Sequence, residues 1–498
     1  MTGIAEWFFI IIYGSVLGFL CFFGLHRLYM VVLYYLYSKN TPKPPEDADY
    51  RPVVTVQLPM YNEKTVAERV ILAVANMRYP REKLEIQVLD DSTDETVAIA
   101  RRTVEELQEK GINIQYIHRS NRSGYKAGAL NQGLKTAKGE VIAIFDADFI
   151  PPVDFLEKTA PYFKDPKIGV VQARWEHINE NFSILTKVQA MLLNGHFFLE
   201  SGARSRSGRF FNFNGTAGLW RKSAIEDSGG WACDTLTEDL ELSYRAQMRG
   251  WKFIFLQDIA VPSELPIEVN AFKAQQFRWS KGAIQTGRKI LSRLFKSNMP
   301  WFIKLEGFFH MYGHVSYILL LLLCLLMPFA VWIYRDDSLR YFHLSVYHIF
   351  LLGTISVSLF YSLSGVEAGR GLGSQLLMLF PLMALGAGMT VNNSIAVLEG
   401  LSGKPSEFVR TPKYSVDGTT LKRDYSAKRT RSSWAELVMG LHLTTGTYIA
   451  FQYELYTALP FMILFQVGFL YVALHSFMEE HFALKSTTAT KELTGQTA

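Results

Sequence analysis

Residues Trp7 to Tyr37 are almost entirely apolar, broken only by His26 and Arg27. About 20 such residues already span a bilayer, so this stretch reads as one long or tilted membrane crossing. A cleaved signal peptide fits poorly: Glu6, not Lys or Arg, precedes the run, the run is too long, and no A-x-A site follows it. Apolar runs return at 308–333, 342–363, 375–398, 434–453 and 456–477. They account for the composition, in which 49% of the 498 residues are hydrophobic and only 19% charged, where a soluble protein carries about a quarter. Intrinsic disorder and an ordinary soluble enzyme are both excluded. A formal net charge of +5 is too mild for a nucleic-acid-binding surface. Cys21, Cys233 and Cys324 are far apart and make neither a zinc spacing nor a disulfide framework.

Basic residues set the expected topology. Lys39, Lys43 and Arg51 follow the first crossing and place the next domain in the cytoplasm. Residues 404–431 hold Lys404, Arg410, Lys413, Lys422, Arg423, Lys428, Arg429 and Arg431 against Glu407, Asp417 and Asp424, so this loop should lie on the same side. Two crossings between these regions satisfy that condition and three do not. The run 375–398, interrupted by Pro381, Gly386, Gly388 and the pair Asn392-Asn393, is therefore expected to lie at the cytoplasmic interface, leaving five crossings. The expected division is a crossing (1–38), a globular α/β domain (39–265), interfacial helices (266–300), two crossings (301–365), an interfacial helix with the basic loop (366–433), two crossings (434–478) and a tail (479–498) too short for a further domain.

Short runs rich in Val and Ile at 53–58, 84–89, 112–118, 141–145, 170–173 and 252–256 alternate with helical patterns such as Glu95 to Lys110. That alternation predicts a Rossmann-related, mostly parallel sheet with helices on both faces. Ligands of such sheets bind beyond the carboxyl ends of the strands, and the polar clusters of this chain lie there. Asp90-Asp91-Ser92 follows the second run, Asp146-Ala147-Asp148 follows the fourth, and Thr237-Glu238-Asp239 leads into a later helix. Two aspartates at i and i+2 can grip a hard cation, and Mg2+ or Mn2+ takes few carboxylates and shares its other positions with phosphate. A departing nucleotide diphosphate needs that counter-charge. Any one of these aspartates alone is as well explained as a helix cap or turn residue. All of them at the strand ends of one domain are not.

Other polar groups occupy the same places. Pro59-Met60-Tyr61-Asn62-Glu63 follows the first run, and Tyr61 offers a ring on which a nucleoside can stack. Lys126, where the segment Ser123 to Asn131 begins a helix, can meet phosphate together with backbone N–H groups, although no Walker loop is present. Between Phe213 and Trp220, Gly215 and Gly218 stand among Asn214, Thr216 and aromatic neighbours, which suits close backbone approach to a ligand. Gln275-Gln276-Phe277-Arg278-Trp279 lies in an amphipathic stretch before the second crossing, where a Trp anchor and a snorkelling Arg are the plainer explanation.

Taken in order, the Asp pair, D-x-D, T-E-D and Q-x-x-R-W make the chain resemble the processive, membrane-bound family 2 glycosyltransferases, of which cellulose synthase is the best known. Lys126 to Asn131 (KAGALN) and Phe213 to Gly218 (FNGTAG) look most like the cellulose-synthase-like A and C groups of plants and their bacterial relatives. Phe408-Val409-Arg410-Thr411-Pro412-Lys413 resembles that family's gating loop, F-x-V-T-x-K, with Arg410 at the Val position. The resemblance implies a GT-A-like catalytic domain fused to the membrane helices, and a role for each position. Asp90 and Asp91 would contact the base and the diphosphate, in a nucleotide-sugar site shared with Tyr61, Glu63, Lys126, Asp146, Gln275 and Arg278. Asp146 and Asp148 would hold Mg2+ or Mn2+; Phe149 stands where many relatives carry a histidine close to the metal. Asp239 would be the general base within the catalytic triplet Thr237-Glu238-Asp239. Trp279, Asn214, Gly215 and Thr216 would bind the acceptor, and Phe408, Arg410, Thr411 and Lys413 would form the gate.

One base acting on one face of the anomeric carbon gives a single inverting displacement, so an α-linked donor yields a β-linkage. The expected activity is polymerisation of a β-1,4-glucan from UDP-glucose with passage of the product through the membrane. A β-mannan synthase using GDP-mannose and a glucosyltransferase acting on a lipid are alternatives with the same chemistry. A transporter that only senses nucleotide sugars is a reading of another class. It requires ionisable residues along the crossings, where Glu306, His310, His314, Glu367 and Glu454 lie mostly near the ends, and it gives Asp239 and Arg278 no purpose. The expected partners are a nucleotide sugar, a growing polysaccharide and the bilayer, with no nucleic acid, in a plasma (inner) membrane or, in a eukaryote, the Golgi.

Overall fold

Strands buried along their whole length frame the globular part. The computed structural model describes residues 4–43, 45, 47–334, 340–405, 407–414, 430 and 432–494. β1 (Val54–Met60) and β2 (Leu84–Asp90) are buried at every position, as strands covered on both faces must be. With β3 (Ile114–His118), β4 (Val141–Ile144), β5 (Ile168–His177), β6 (Gly218–Arg221) and β7 (Lys252–Ser263) they form a seven-stranded sheet in the order β3-β2-β1-β4-β6-β5-β7. Only β6 runs antiparallel to its neighbours; the remaining pairings are parallel. Alternate residues feed opposite cores: Val141 and Ala143 join Val54, Val56 and Leu58, whereas Ile142 and Ile144 join Leu130, Trp220 and Leu242. The fold is therefore GT-A-like, mostly parallel α/β. β6 was not foreseen. Its four residues open on Gly218 and carry no period of their own; pairing with β4 and β5 recruits them.

The sheet brings the acidic turns together. Met60 at the end of β1 is in register with Asp90 at the end of β2, and β4 lies on the other side of β1. Asn62, in the left-handed region at φ 54°, donates its backbone N–H to Ser92 Oγ at 2.8 Å and accepts from Thr93 N–H at 2.8 Å. The first two strand-end loops are thereby tied into one rim.

Among the described residues, four helices are long and apolar enough to cross a membrane: Glu6–Leu36, Trp301–Ile333, His348–Glu367 and Leu459–His481. The expected crossing at 434–453 is a helix, Ser432–Gln452, but Thr444, Thr445 and Thr447 dilute its apolar character and it is not among the four. The stretch 375–398, expected as one interfacial helix, forms two, Leu372–Gly388 and Thr390–Ser402, bent by 49° as in a broken span or re-entrant loop. Its polar pair is buried within the protein: Asn392 Nδ2 donates to Lys273 O and to Asn393 Oδ1, each at 3.0 Å. The helices meet through small residues; a Cβ on Gly388 would lie 2.3 Å from Gly468 O of the helix Leu459–Thr494. Of the basic loop, Lys422, Arg423, Lys428, Arg429 and Arg431, with Asp417 and Asp424, lie outside the described residues. The expected interfacial segment 266–300 holds one 28-residue helix, Val269–Lys296, which carries Q-x-x-R-W.

Several ionisable groups on the apolar helices are paired within the protein, some with the globular part and some with the first apolar helix. Glu306 accepts from Arg204 Nε at 2.9 Å and pairs with His26 at 3.0 Å. Glu367 accepts from Tyr34 and Tyr35. Arg27 pairs with Glu200, and His310 meets Tyr244 Oη at 2.8 Å.

Candidate active site

The strand-end turns open into one cleft. Tyr61 and Glu63 line it from the end of β1, Asp91 from β2, and Asp146 and Asp148 from β4. Asn214 and Gly215 enter from the segment before β6, with Thr237, Glu238 and Asp239 from the turn that starts the helix Glu238–Met248. Gln275, Arg278 and Trp279 close it from the helix Val269–Lys296, and Phe408, Arg410, Thr411 and Lys413 cover it.

Two expected residues lie behind the cleft. Asp90 is fully buried, and its carboxylate is consumed by Ser92 N–H at 2.9 Å and Tyr116 Oη–H at 2.6 Å. It holds the rim and does not line the cleft. Thr216, expected at the acceptor, is likewise fully buried, and its Oγ1 accepts from Asp146 N–H at 2.8 Å. Its reach is to the backbone of the D-x-D turn. Asp91 does face the cleft, clamped by a two-pronged Arg119 at 2.7 and 2.5 Å.

Lys126 is the hub. Its Nζ donates to Asp146 Oδ1 at 2.5 Å and to Gly215 O at 2.9 Å. Burial pulls this amine down, but Asp146, Glu238 and Asp239 outweigh it and leave it above its ordinary value. Gly215 sits at φ +77°, and a Cβ there would lie 3.0 Å from Asp239 Oδ2 and 3.4 Å from Lys126 Nζ, so this position needs glycine on both counts. Asp239 Oδ1 accepts from Leu240 N–H at 2.7 Å, leaving Oδ2 as the oxygen beside Gly215. Burial and the neighbouring Glu238 push Asp239 up to about 7, against the pull of Leu240 N–H and Lys126. Glu238 is raised by burial as well.

The helix Val269–Lys296 positions the T-E-D turn directly. Leu236 N–H donates to Gln285 Oε1 at 3.0 Å, and Thr237 Oγ1 lies 3.1 Å from Thr286 Oγ1. A Cβ on Gly282 would stand 2.6 Å from Thr237 Cγ2. The Arg278 guanidinium donates to Val409 O at 2.6 Å and Thr411 Oγ1 at 3.1 Å and lies 4.6 Å from the Phe408 ring. Burial lowers it to about 10.

Asp146 and Asp148 form a two-carboxylate site already facing cations, Lys126 on the first and Lys413 Nζ at 2.6 Å on the second. Among the described residues no cluster of three or more His, Cys, Asp or Glu offers a metal cage. Two carboxylates suit a hard cation that takes its other ligands from phosphate and water. Glu63 lies 3.8 Å from Arg410, and burial pushes its carboxyl up to about 7.

Sequence reasoning missed several lining groups. The Arg122 guanidinium lies 3.4 Å from the Tyr61 ring centre; only its place in the basic run before Lys126 could have flagged it. Trp175 and His177, at the end of β5, also line the cleft, as do Glu264 and Leu265 after β7. Both strands extend beyond the apolar runs 170–173 and 252–256 that mark them in the sequence, and this carries those residues to the cleft.

A sequence profile described as "Glycosyltransferase like family 2" matches residues 52–282. The chain is 36% identical over 413 residues to glucomannan 4-beta-mannosyltransferase 7 of Arabidopsis thaliana, covering 80% of this chain and 71% of that protein. It is 36% identical over 416 residues to glucomannan 4-beta-mannosyltransferase 1 of Cyamopsis tetragonoloba, covering 80% and 75%. Probable glucomannan 4-beta-mannosyltransferase 7 of Oryza sativa subsp. japonica matches at 47% over 244 residues, 48% of this chain and 42% of that protein. Several relatives are thus matched over only about half of their length. A solved mannosyltransferase from Pyrobaculum calidifontis, in complex with GDP-Man and Mn2+, superposes with a TM-score of 0.54 at 21% identity, covering 79% of this chain and 100% of that one; this shows the shared fold. With the four motifs gathered in one cleft and relatives matched across more than two thirds of their length, the chain belongs to the family 2 glycosyltransferases, in the cellulose-synthase-like group, and is a hexosyltransferase.

Proposed function

We propose that this chain transfers mannose from GDP-mannose to the end of a β-1,4-linked mannan or glucomannan, with inversion at the anomeric carbon. One observation carries the reading: Lys126 bridges Asp146 and Gly215 while Gly215 abuts Asp239 Oδ2, so the D-x-D turn and the T-E-D carboxylate share one small space. The relatives' names favour mannose over the glucose expected from the sequence, since the matched plant proteins are glucomannan mannosyltransferases. The Pyrobaculum calidifontis protein, with GDP-Man and Mn2+ bound, supports a divalent ion on this fold.

In this reading Asp146 and Asp148 hold Mg2+ or Mn2+, which supplies positive charge to the departing diphosphate. Lys126 and Arg278 add further charge toward the same oxygens. Tyr61, Asp91 and Arg122 hold the nucleoside end. The acceptor ring stacks on Trp279, and Asp239 Oδ2, ionised, takes the proton from the acceptor hydroxyl as it attacks. The base works on one face only, so an α-linked donor gives a β-product. The globular domain faces the cytoplasm, and the product leaves toward the apolar helices.

The test is a donor panel. Purified full-length protein in detergent with Mn2+ is given labelled GDP-mannose, UDP-glucose and GDP-glucose, each with manno-oligosaccharides. Label from GDP-mannose should enter oligosaccharide at least ten times faster than label from UDP-glucose. The reverse preference overturns the reading.

A further inference from the structure

The helix Val269–Lys296 brings Gln275, Arg278 and Trp279 to the cleft, and none of its later residues lines it. Its outer arm runs on to Lys296 before the chain turns back into the helix Trp301–Tyr312. At 100° per residue, Ile290 and Leu294 share one face of this arm, and they pack with Leu240 and Tyr244 of the globular domain. Arg288, Phe295 and Lys296 lie on the opposite face, and all three are exposed. Phe295 is 50% exposed and Trp301, just across the turn, 72%. Two more cations, Arg293 and Lys304, flank these rings in the sequence. Arg288 donates one N–H to Gly400 O at 3.1 Å. None of the four cations makes an ion pair among the described residues, whereas Lys289 is held by Asp234 and Glu241, and Lys404 by Glu399.

The neighbours of this face say what covers it. Ile284, Arg288 and Phe295 fall on one stripe (i, i+4, i+11). Ile284 meets the helix Thr390–Ser402, where a Cβ on Gly400 would lie 2.9 Å from Ile284 Cβ. That helix packs in turn on Ser316–Tyr334, the apolar part of the span Trp301–Ile333. The stripe left bare is thus on the side of the membrane helices and turned away from the globular domain. Aromatic rings at the mouth of a crossing belong at the headgroup level, where Lys and Arg stems reach phosphates. Cations without carboxylates need an anionic partner and the two rings need an apolar one. An anionic lipid surface supplies both.

We infer that the hairpin from Arg288 to Lys304 lies on the bilayer and binds anionic phospholipid headgroups through Arg288, Arg293, Lys296 and Lys304, with Phe295 and Trp301 in the acyl boundary. This holds whichever sugar is transferred. The contact adjoins the catalytic turn, because Gln285 and Thr286, which hold Leu236 and Thr237, immediately precede it on the same helix.

The experiment titrates full-length protein in dodecyl maltoside with pyrene-labelled phosphatidylglycerol and, in parallel, pyrene-labelled phosphatidylcholine, reading energy transfer from tryptophan to pyrene. A basic side chain near an anionic surface is worth roughly fivefold in affinity. Wild type should therefore prefer phosphatidylglycerol by at least roughly 25-fold, and about 0.5 M NaCl should remove most of that preference. Arg293→Gln/Lys296→Gln should cut it about 25-fold, and Arg293→Lys/Lys296→Arg, which keeps both charges, should retain it. Arg81→Gln/Lys110→Gln removes the same charge from exposed positions at the amino ends of β2 and β3, away from the cleft, and should change it less than about twofold. Free glycerol phosphate, the headgroup without its chains, should not displace the lipid. Equal affinity of wild type for the two lipids, an undiminished preference in Arg293→Gln/Lys296→Gln, an equal loss in Arg81→Gln/Lys110→Gln, or displacement by free glycerol phosphate overturns the inference. The titration needs no turnover, so a failure of mannosyl transfer leaves it standing.

Discussion

Asp239→Asn separates the cost of this carboxylate from its use. In the folded protein Asp239 is held near 7, above an ordinary aspartate at 3.8, first by burial and then by Glu238. A group whose folded value is raised favours folding fully only below its unfolded value, and that contribution drains away as pH climbs through the folded one. Wild type therefore loses stability between pH 4 and 7, by an amount that the gap converts to about 4 kcal/mol, and stays at that lower level above pH 7. Asparagine keeps the shape and removes the charge. The variant should match wild type in thermal inactivation at pH 4, outlast it increasingly as pH rises, and at pH 8 do so by up to roughly 10 °C for a domain of this size. Transfer should fall roughly 10²–10⁴-fold, the worth of a positioned base. The assay pairs thermal inactivation of nucleotide binding with initial transfer rates across pH 5 to 8.5. Retained transfer, or a stability difference that does not grow with pH, refutes the argument.

Transfer itself should show an acid limb near pH 7, rising with pH as Asp239 ionises; because Lys126 pulls Asp239 down, Lys126→Met should move that limb to higher pH, and a downward move in the kcat profile counts against the hub. Gly215→Ala places a Cβ against Asp239 Oδ2 at φ +77° and should lower kcat more than tenfold, a cost typical of sub-ångström misplacement, with the fold intact by circular dichroism. Chelation of divalent ions should abolish transfer, and added Mn2+ or Mg2+ should restore it; unchanged turnover in EDTA removes Asp146 and Asp148 from the proposed role. Lys273 and Glu436 are fully buried and paired at 2.7 Å, so Glu436→Ala should destabilise by about 3–5 kcal/mol and the double change Lys273→Met/Glu436→Leu should recover most of it; equal thermal inactivation of the single variant and wild type would contradict this.

Local chemistry made much of the site readable in advance. Aspartates at strand ends are visible because the strands are Val-rich and the turns carry charge, so Asp91, Asp146 and Asp148 could be placed in one cleft from pattern, and Asp239, at the start of a helix, from motif order. Partner choice was not visible. Asp90 and Asp91 are adjacent and identical in type, yet Tyr116 from β3 claims one and leaves the other to the cleft. Thr216 sits in a segment rich in ligand-like residues, but its hydroxyl is turned inward to Asp146. β5 and β7 run past their expected ends because each pairs with the other, and that register carries Trp175 and His177 into the cleft. At the bend, Gly388 meets the backbone of Gly468, some 80 residues away in sequence, a contact that no local period encodes.

The most direct test is digestion of the labelled product. Wild-type protein incubated with GDP-[14C]mannose and a manno-oligosaccharide primer should yield chains longer than the primer that endo-β-1,4-mannanase reduces to small fragments, with none formed by Asp239→Asn. Product resistant to that enzyme, or label entering only from UDP-glucose into material cut by an endo-β-1,4-glucanase, would contradict the account.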